Sequence, residues 1–535
     1  MRKSLRKPVI LAIMLVLMPA LPPASAQPET ELRIGMTQQP NTLNPLLQTQ
    51  FSENYIDEAL FSSLTVLDDR GNVRPDLAER VPTRANGGIS RDGRTITYHL
   101  RSNVKWHDGV PLTADDVVFT FEKMRDPKTG FAATSTYDTV DSVTAPNPHT
   151  VVVRLRKPWA DAVGELFVNG QFASIVPRHI LEKSRDIKTD PFGGHPVGSG
   201  PYVFGSWARD GELVLDANPN YFRGKPAIGK LRIQFLPEPE TLAIKLRTGE
   251  LDFAPGIAAA TLPTIEQNKA LRIVDSPTES LIFLTYRVDS GLFSDPAVRE
   301  AFSDVVDRDA IVKKAYLGYA EPAAEFVPPW SPFATLKTPP RRDPAAARAI
   351  LERDGWHVGA DGIRVKNGKR LQTVLTTITG SRPGMVAAVM MQAAWRSVGA
   401  DVEIRPVQVN VLYAPSSGIA AKGDFAFMLN GQGFSAGPDR GTDLESTSIP
   451  PQGTNYARYR NAEVDRAIAL ERAKLDVTGR KPAFAVIAHR VRDDEPYVPL
   501  VWVKRIAVVV KSLAGLRPET INSDFWNVYA WRLKP

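Results

Sequence analysis

Apolar and polar residues alternate in short runs along most of the chain. Leu32, Ile34 and Met36 share one face of a strand, as do Ile96, Tyr98 and Leu100, and Val151 to Leu155 and Leu231 to Phe235 repeat the period of two. Between these runs the period becomes helical. Thr113 caps a segment with Asp115 and Asp116 in its first turn, and Val117, Phe121 and Met124 then form an apolar stripe. Asp295-Pro296 and Asp343-Pro344 each set a capping carboxylate before a proline at the first helical position, and Gly355 is placed to close the second helix. Strands alternating irregularly with helices predict an α/β chain with several mixed sheets.

Composition adds a compartment and a size. Arg2, Lys3, Arg6 and Lys7 precede the uncharged apolar run Val9 to Met18, which leads to Ala24-Ser25-Ala26. The run is about half of the roughly 20 apolar residues that a membrane span needs, so the segment reads as a secretory leader cut near Ala26. The chain has no cysteine, which removes disulfides, thiolate catalysis, zinc–thiolate sites and a lipid-modified cysteine anchor together. A freely diffusing protein in the periplasm is the expectation. About 509 residues follow the leader, more than one core supports, so two or three domains are expected. Without the leader's four basic residues, 62 Lys+Arg stand against 59 Asp+Glu, a net charge of +3. That near balance argues against nucleic acid as a partner.

The most specific segment runs from Arg91 to Glu122, RDGRTITYHLRSNVKWHDGVPLTADDVVFTFE. It orders a tight turn at Asp92-Gly93, a strand, a second turn at His107-Asp108-Gly109 and the helix capped by Thr113. Pro196 to Pro226 carries VGSGPY and then WARDGELVLDANPNYFRGKP, and Leu284 to Val312 reads LTYRVDSGLFSDPAVREAFSDVVDRDAIV. Together with Asp343 to Trp356 and Asn455 to Asp465, these segments closely resemble the family 5 extracellular solute-binding proteins of ABC importers. The resemblance covers nearly all of the chain beyond the leader.

That resemblance implies a periplasmic-binding-protein-like bilobal fold with mixed sheets and three domains, and a ligand cleft between two hinged lobes. The expected segments are a signal peptide over 1–26, lobe I over 27–60, the family's extra domain II over 61–170, lobe I again over 171–275, lobe III over 276–498 and a last lobe I segment over 499–535. Crossings between lobes are expected around Asp275 to Ser280 and Pro496 to Val501. The implied role is capture of a small solute, an oligopeptide or dipeptide first among them, for delivery to an inner-membrane ABC permease by a monomer. A sugar, an opine or a metal chelate is the alternative cargo. No cofactor, no metal and no catalytic residue is expected.

In the family's peptide-binding members an aspartate ahead of a proline-containing turn holds the ligand's ammonium. The matching stretch here is Asn430 to Arg440, NGQGFSAGPDR, in which that position falls on Ala436. Gln432, Phe434, Ala436 and Asp439 are the residues of this stretch expected at the ligand, with Asp439 available to replace the missing acid. A buried ammonium without a counter-charge is costly, so either a carboxylate elsewhere serves or the ligand lacks a free amine. On lobe I, Gln38, Gln39 and Asn41 either offer amide bonds to a polar ligand or cap the helix starting near Ser52. Arg382 either pairs with a ligand carboxylate or lies on the surface. Tyr286 either covers the ligand or packs in the core.

Catalytic patterns are absent from the sequence. There is no Gly-x-Ser-x-Gly elbow and no phosphate loop, and the seven histidines include no His-x-x-x-His pair. Some family members bind nickel, which leaves His107 and His195 as metal-ligand candidates. An exported hydrolase is the competing class.

Overall fold

The computed structural model describes residues 30–132, 134–169, 173–209, 211–433, 438–518 and 523–534. The expected leader, cut site included, therefore lies outside the described residues. Among those described, no helix is long and apolar enough to cross a membrane.

The alternating runs form the strands they predict. Glu31–Met36 buries Leu32, Ile34 and Met36, and Lys230–Phe235 buries Leu231, Ile233 and Phe235. These two strands pair in parallel over their whole length. Tyr202–Trp207 and Glu212–Ala217 extend this side of the sheet, and Phe253–Ala254 joins its other edge. The far half of the chain contributes Ala320–Pro322, Gln372–Ile378, Asp401–Val407 and Phe427–Gly433.

Two long strands connect the halves, Leu271–Tyr286 and Tyr497–Val510, paired antiparallel from Leu271 with Val510 to Thr285 with Tyr497. One eleven-stranded sheet therefore runs through both halves. The ladder shifts register between Pro277 and Leu281, opposite Lys504 and Trp502, and again between Ile282 and Phe283. Such bulges bend a strand and raise its twist, which turns the far half relative to the near one. Thr278 holds the first bulge, its hydroxyl donating to the Val503 carbonyl at 2.6 Å.

A smaller sheet of Thr95–His99, Thr150–Leu155 and Val140–Asn147 packs under the helix Ala114–Arg125. Thr113 and Asp116 cap that helix reciprocally, as the sequence predicts. Ile96, Tyr98, Val151 and Val153 belong to the same buried cluster as Leu32 and Ile34, so this sheet and the near half share one core. In the far half, Asp295, Asp343 and Ser381 cap the helices Pro296–Asp304, Pro344–Arg353 and Arg382–Arg396. Trp395 fills the centre of that core, stacked on Phe302, and its indole N–H donates to the Phe302 carbonyl at 2.9 Å.

The conspicuous motifs meet one another. The His107 Nδ1 accepts from the Gly198 N–H at 3.1 Å, so Nε2 carries the proton and faces the Gly200 carbonyl at 3.1 Å. Burial pushes this imidazole down to about 4. A Cβ at Gly198 would stand 1.8 Å from the Leu60 carbonyl oxygen, so the glycine is required by close approach of backbone. With both ring nitrogens engaged by backbone, His107 has none left for a metal.

Candidate ligand-binding site

A crevice separates the two halves beside the crossing strands. One stretch of it, about 1000 Å³, has Leu67, Val73, Ile96 and Val163 on one wall and Trp330, Phe333, Leu475 and Val477 on the other. A second stretch of about 390 Å³ adjoins it and is more polar, with Lys157, Asp161 and Glu165 facing Asp439, Arg472 and Arg480. Both stretches draw on the segment Trp159–Glu165 from the near side and on the region after Pro438 from the far side.

An ion pair joins the two walls. Arg480, on the helix Val477–Asp494, places Nη1 and Nη2 at 2.6 and 2.8 Å from the two oxygens of Asp161, the N-cap residue of the short helix Ala162–Glu165. The same guanidinium donates to Glu471 at 2.7 and 2.9 Å. Burial opposes the charged arginine, but these carboxylates outweigh it and raise its pKa. Burial likewise pushes Glu471 up to about 7 against the pull of Arg480.

On the far half, a cavity of about 250 Å³ opens beside the end of the strand Phe427–Gly433. Asn430 anchors its floor, donating to the Thr285 hydroxyl at 2.5 Å and accepting from the Tyr413 hydroxyl at 2.8 Å. Tyr413, Tyr456 and Tyr497 line it with Phe283, Phe326, Gln432 and Asp443. Asp443 accepts from the Thr454 hydroxyl at 2.6 Å, while burial raises its pKa. The Tyr497 hydroxyl donates to the Asp443 main-chain carbonyl at 2.8 Å.

The strand beside this cavity has an open edge. Every residue from Phe427 to Gly433 pairs with Leu271–Tyr286 on one side, from Tyr286 back to Ser280. On the other side, among the described residues, Gln372–Ile378 pairs only with Phe427 and Met428. Leu429 and Asn430 are buried, whereas Gly431 and Gly433 are exposed, so the accessible part of this unpaired edge runs from Gly431 to Gly433, beside the cavity.

Of the residues singled out in the sequence, Gln432 lines this cavity and Asp439 lines the polar stretch. Asp439 is not a free acid, because Arg472 donates to it at 2.6 and 3.1 Å and the Gly441 N–H at 2.7 Å. Tyr286 is fully buried, stacked on Phe293 at 4.5 Å with Phe427 at 5.9 Å, so core packing accounts for it and no ring face reaches a ligand. Arg382 is exposed at the first position of its helix. Gln38, Gln39 and Asn41 sit on the loop after Glu31–Met36, outside all three cavities; the Asn41 main chain is tied to Glu53 and Arg209. Phe434 and Ala436 lie outside the described residues. His195 is exposed against Phe204, and no group of three or more His, Asp or Glu fit to hold a metal occurs among the described residues.

Asp161, Arg480, Glu471, Tyr413 and Asp443 were not legible as site residues. Asp443 had the nearest signal, three positions beyond the stretch Asn430 to Arg440 already singled out.

Known proteins resemble this chain in sequence and in fold. The family described as bacterial extracellular solute-binding proteins, family 5 Middle, matches residues 72–453. The oligopeptide-binding protein AppA of Bacillus subtilis is 28% identical over 513 residues, 94% of this chain and 91% of the relative. The solved structure of that protein with a nonapeptide superposes with a TM-score of 0.72 at 27% identity, covering 95% of this chain and all of that one. NikZ of Campylobacter jejuni, solved with Ni(L-His), gives 0.74 at 25% identity, covering 94% of this chain and all of that one.

Proposed function

We propose that this chain, which belongs to the family 5 bacterial extracellular solute-binding proteins, captures short peptides in the crevice between its halves and hands them to an ABC permease in the inner membrane. The observation that carries the peptide reading is the unpaired, accessible edge from Gly431 to Gly433. An extended peptide laid there continues the sheet, and its main chain supplies bonds that do not depend on its sequence. The cavity beside that edge then receives one side chain or terminus. Closure follows from contacts the peptide makes with both walls, since a ligand with equal affinity for open and closed forms shifts nothing. No bond-making step belongs to this role. Release from the leader near Ala26 delivers the protein to the periplasm, where it acts as a monomer.

Thermal unfolding with tripeptides tests this reading. A ligand that binds only the folded state at 100 times its Kd adds about 2.7 kcal/mol. A bound tripeptide methylated on its central backbone nitrogen should lose most of that gain, because edge pairing needs the N–H. Undiminished stabilisation by the methylated peptide, or stabilisation by sugars and by no peptide, overturns the reading.

A further inference from the structure

The contact between the walls brings together more acids than bases. Arg480 donates to both oxygens of Asp161 and, from two of its nitrogens, to Glu471 Oε2, so one guanidinium is shared by two carboxylates. Its neighbour Arg472 is likewise shared, between Asp439 and Glu445. Asp161 belongs to the near wall, and both arginines and the other three acids belong to the far half. Closing therefore adds a carboxylate to an ion-paired group that already holds more acids than bases.

The surrounding charges do not offset it. On the near wall Lys157 is exposed to screening water, and Glu165 faces Arg440, which Asp443, Glu279 and Asp439 also face. Behind Glu471 a narrow cavity of about 40 Å³ is shared with Arg308, Glu325, Arg440, Arg492 and Glu495. Those groups are part of the far half and move with Glu471, so closing leaves their influence on it unchanged. Among the described residues, no histidine lines either stretch of the crevice.

Water is kept from the shared guanidinium, whose Cζ lies 4.9 Å from the ring centroid of Phe333 and 5.5 Å from that of Phe484. In such surroundings two carboxylates repel strongly, and neutralising one of them relieves the repulsion. Glu471 is built for that change. Its Oε2 accepts both bonds from Arg480, while Oε1 is buried with no hydrogen-bond partner among the described residues. A proton on Oε1 forfeits no bond. Burial is the largest influence favouring the protonated form, opposed by Arg480 and aided by Asp439 and Asp161, and Asp161 is the charge that arrives with the opposite wall.

We propose that closing the crevice loads a proton from solvent onto Glu471 Oε1, so that the junction of the two walls tightens as the medium turns acidic. The sign follows from the approach of Asp161. The closed form holds the proton more tightly than the open form, so lowering the pH favours closing. Once protonated, Glu471 leaves the guanidinium to Asp161, and opening then strands a buried arginine without a counter-charge. The device lies in the walls and is independent of which solute they enclose.

Small-angle scattering of the unliganded protein between about pH 5.5 and about pH 8.5 tests it. The wild-type radius of gyration should rise with pH, the change centred at or below about 7, the value to which burial raises Glu471. A tenfold difference in proton affinity between the two forms makes closing about tenfold more favourable at the acid end. Glu471→Gln, neutral at every pH, should keep the compact radius throughout. Asp161→Asn should lose the pH dependence whatever its radius, because its approach adds no charge. Thermal unfolding confirms that both variants are folded, and if Glu471→Gln does not fold, Asp161→Asn decides. A wild-type radius independent of pH, or a Glu471→Gln protein that is expanded or still responds to pH, overturns the proposal. So does a pH response that survives in Asp161→Asn, which would assign it to Glu325 or Glu495.

Discussion

Arg480 grips Asp161 by both carboxylate oxygens, at 2.6 and 2.8 Å, across 319 residues of chain. The arginine is 4% exposed at its side chain and also bound to Glu471, which is 1% exposed. A planar fork that spans two acids fixes geometry as well as charge. Asp161 is the partner from the opposite wall, so it is the member whose loss affects closure alone.

Removing Asp161 should therefore open the crevice without unfolding either half. Glu471 keeps the buried guanidinium neutralised in Asp161→Ala, which avoids the large penalty of an unpaired buried charge. Small-angle scattering should show a larger radius of gyration in the unliganded variant than in wild type. Peptide affinity should fall about tenfold, equivalent to about 1.4 kcal/mol. Unchanged scattering and affinity would show that the pair follows closure and does not stabilise it.

Asp439 was the acid the sequence offered for a ligand amine, and its pairing with Arg472 changes that expectation. Asp439→Ala should lower stability by about 1 kcal/mol, the range of a partly exposed ion pair, and Arg382→Ala should leave it unchanged. Peptide affinity should differ less than threefold between them. A tenfold loss of affinity confined to Asp439→Ala would restore the sequence-based role.

The His107 imidazole should stay neutral, protonated on Nε2, down to about pH 4. Its folded value lies near 4 and its ordinary value at 6.5, so on acidification the unfolded chain takes the proton first. The stability from neutral His107 is complete above about pH 6.5 and is lost as pH falls towards 4, on the order of 3 kcal/mol in all. Glu325, Glu471 and Glu495, each raised to about 7 by burial, act in the opposite sense over that window. Nitrogen chemical shifts of the ring, rather than overall stability, are thus the measurement. A midpoint above pH 6 would contradict the assignment.

Gly198→Ala should be among the most damaging single changes outside the crevice. Its Cβ would press on the Leu60 carbonyl, which is backbone and has no rotamer to yield. A loss of more than about 3 kcal/mol is expected in urea unfolding, or no soluble protein at all. At Gly224, where nothing lies within 4 Å of an added Cβ, alanine should cost less, its penalty coming from the positive φ of 99° alone.

Elements with strong local signals were legible. Leu32, Ile34 and Met36 face one side because one side is covered, and Asp295 and Asp343 cap because proline follows each. Tyr286 shows where such reasoning stops. The end of its strand is buried on both faces, so Leu281 to Leu284 are apolar without alternation and carry no sign of which face meets a ligand. The Asp161–Arg480 pair has no local signature, since nothing in either segment marks its partner. Asp443 becomes distinctive only through Tyr413, Tyr456 and Tyr497, which arrive from three other parts of the chain.

The two strands that join the halves are laced to each other along most of their length instead of running as separate tethers. A pair of independent cords would let one half swivel and slide over the other. A laced pair resists both, and leaves flexing about the bulged stretch near Thr278 as the easy movement. Such a joint predicts opening about one axis, as in a clothes-peg, and a distance between one label on each half should then follow it.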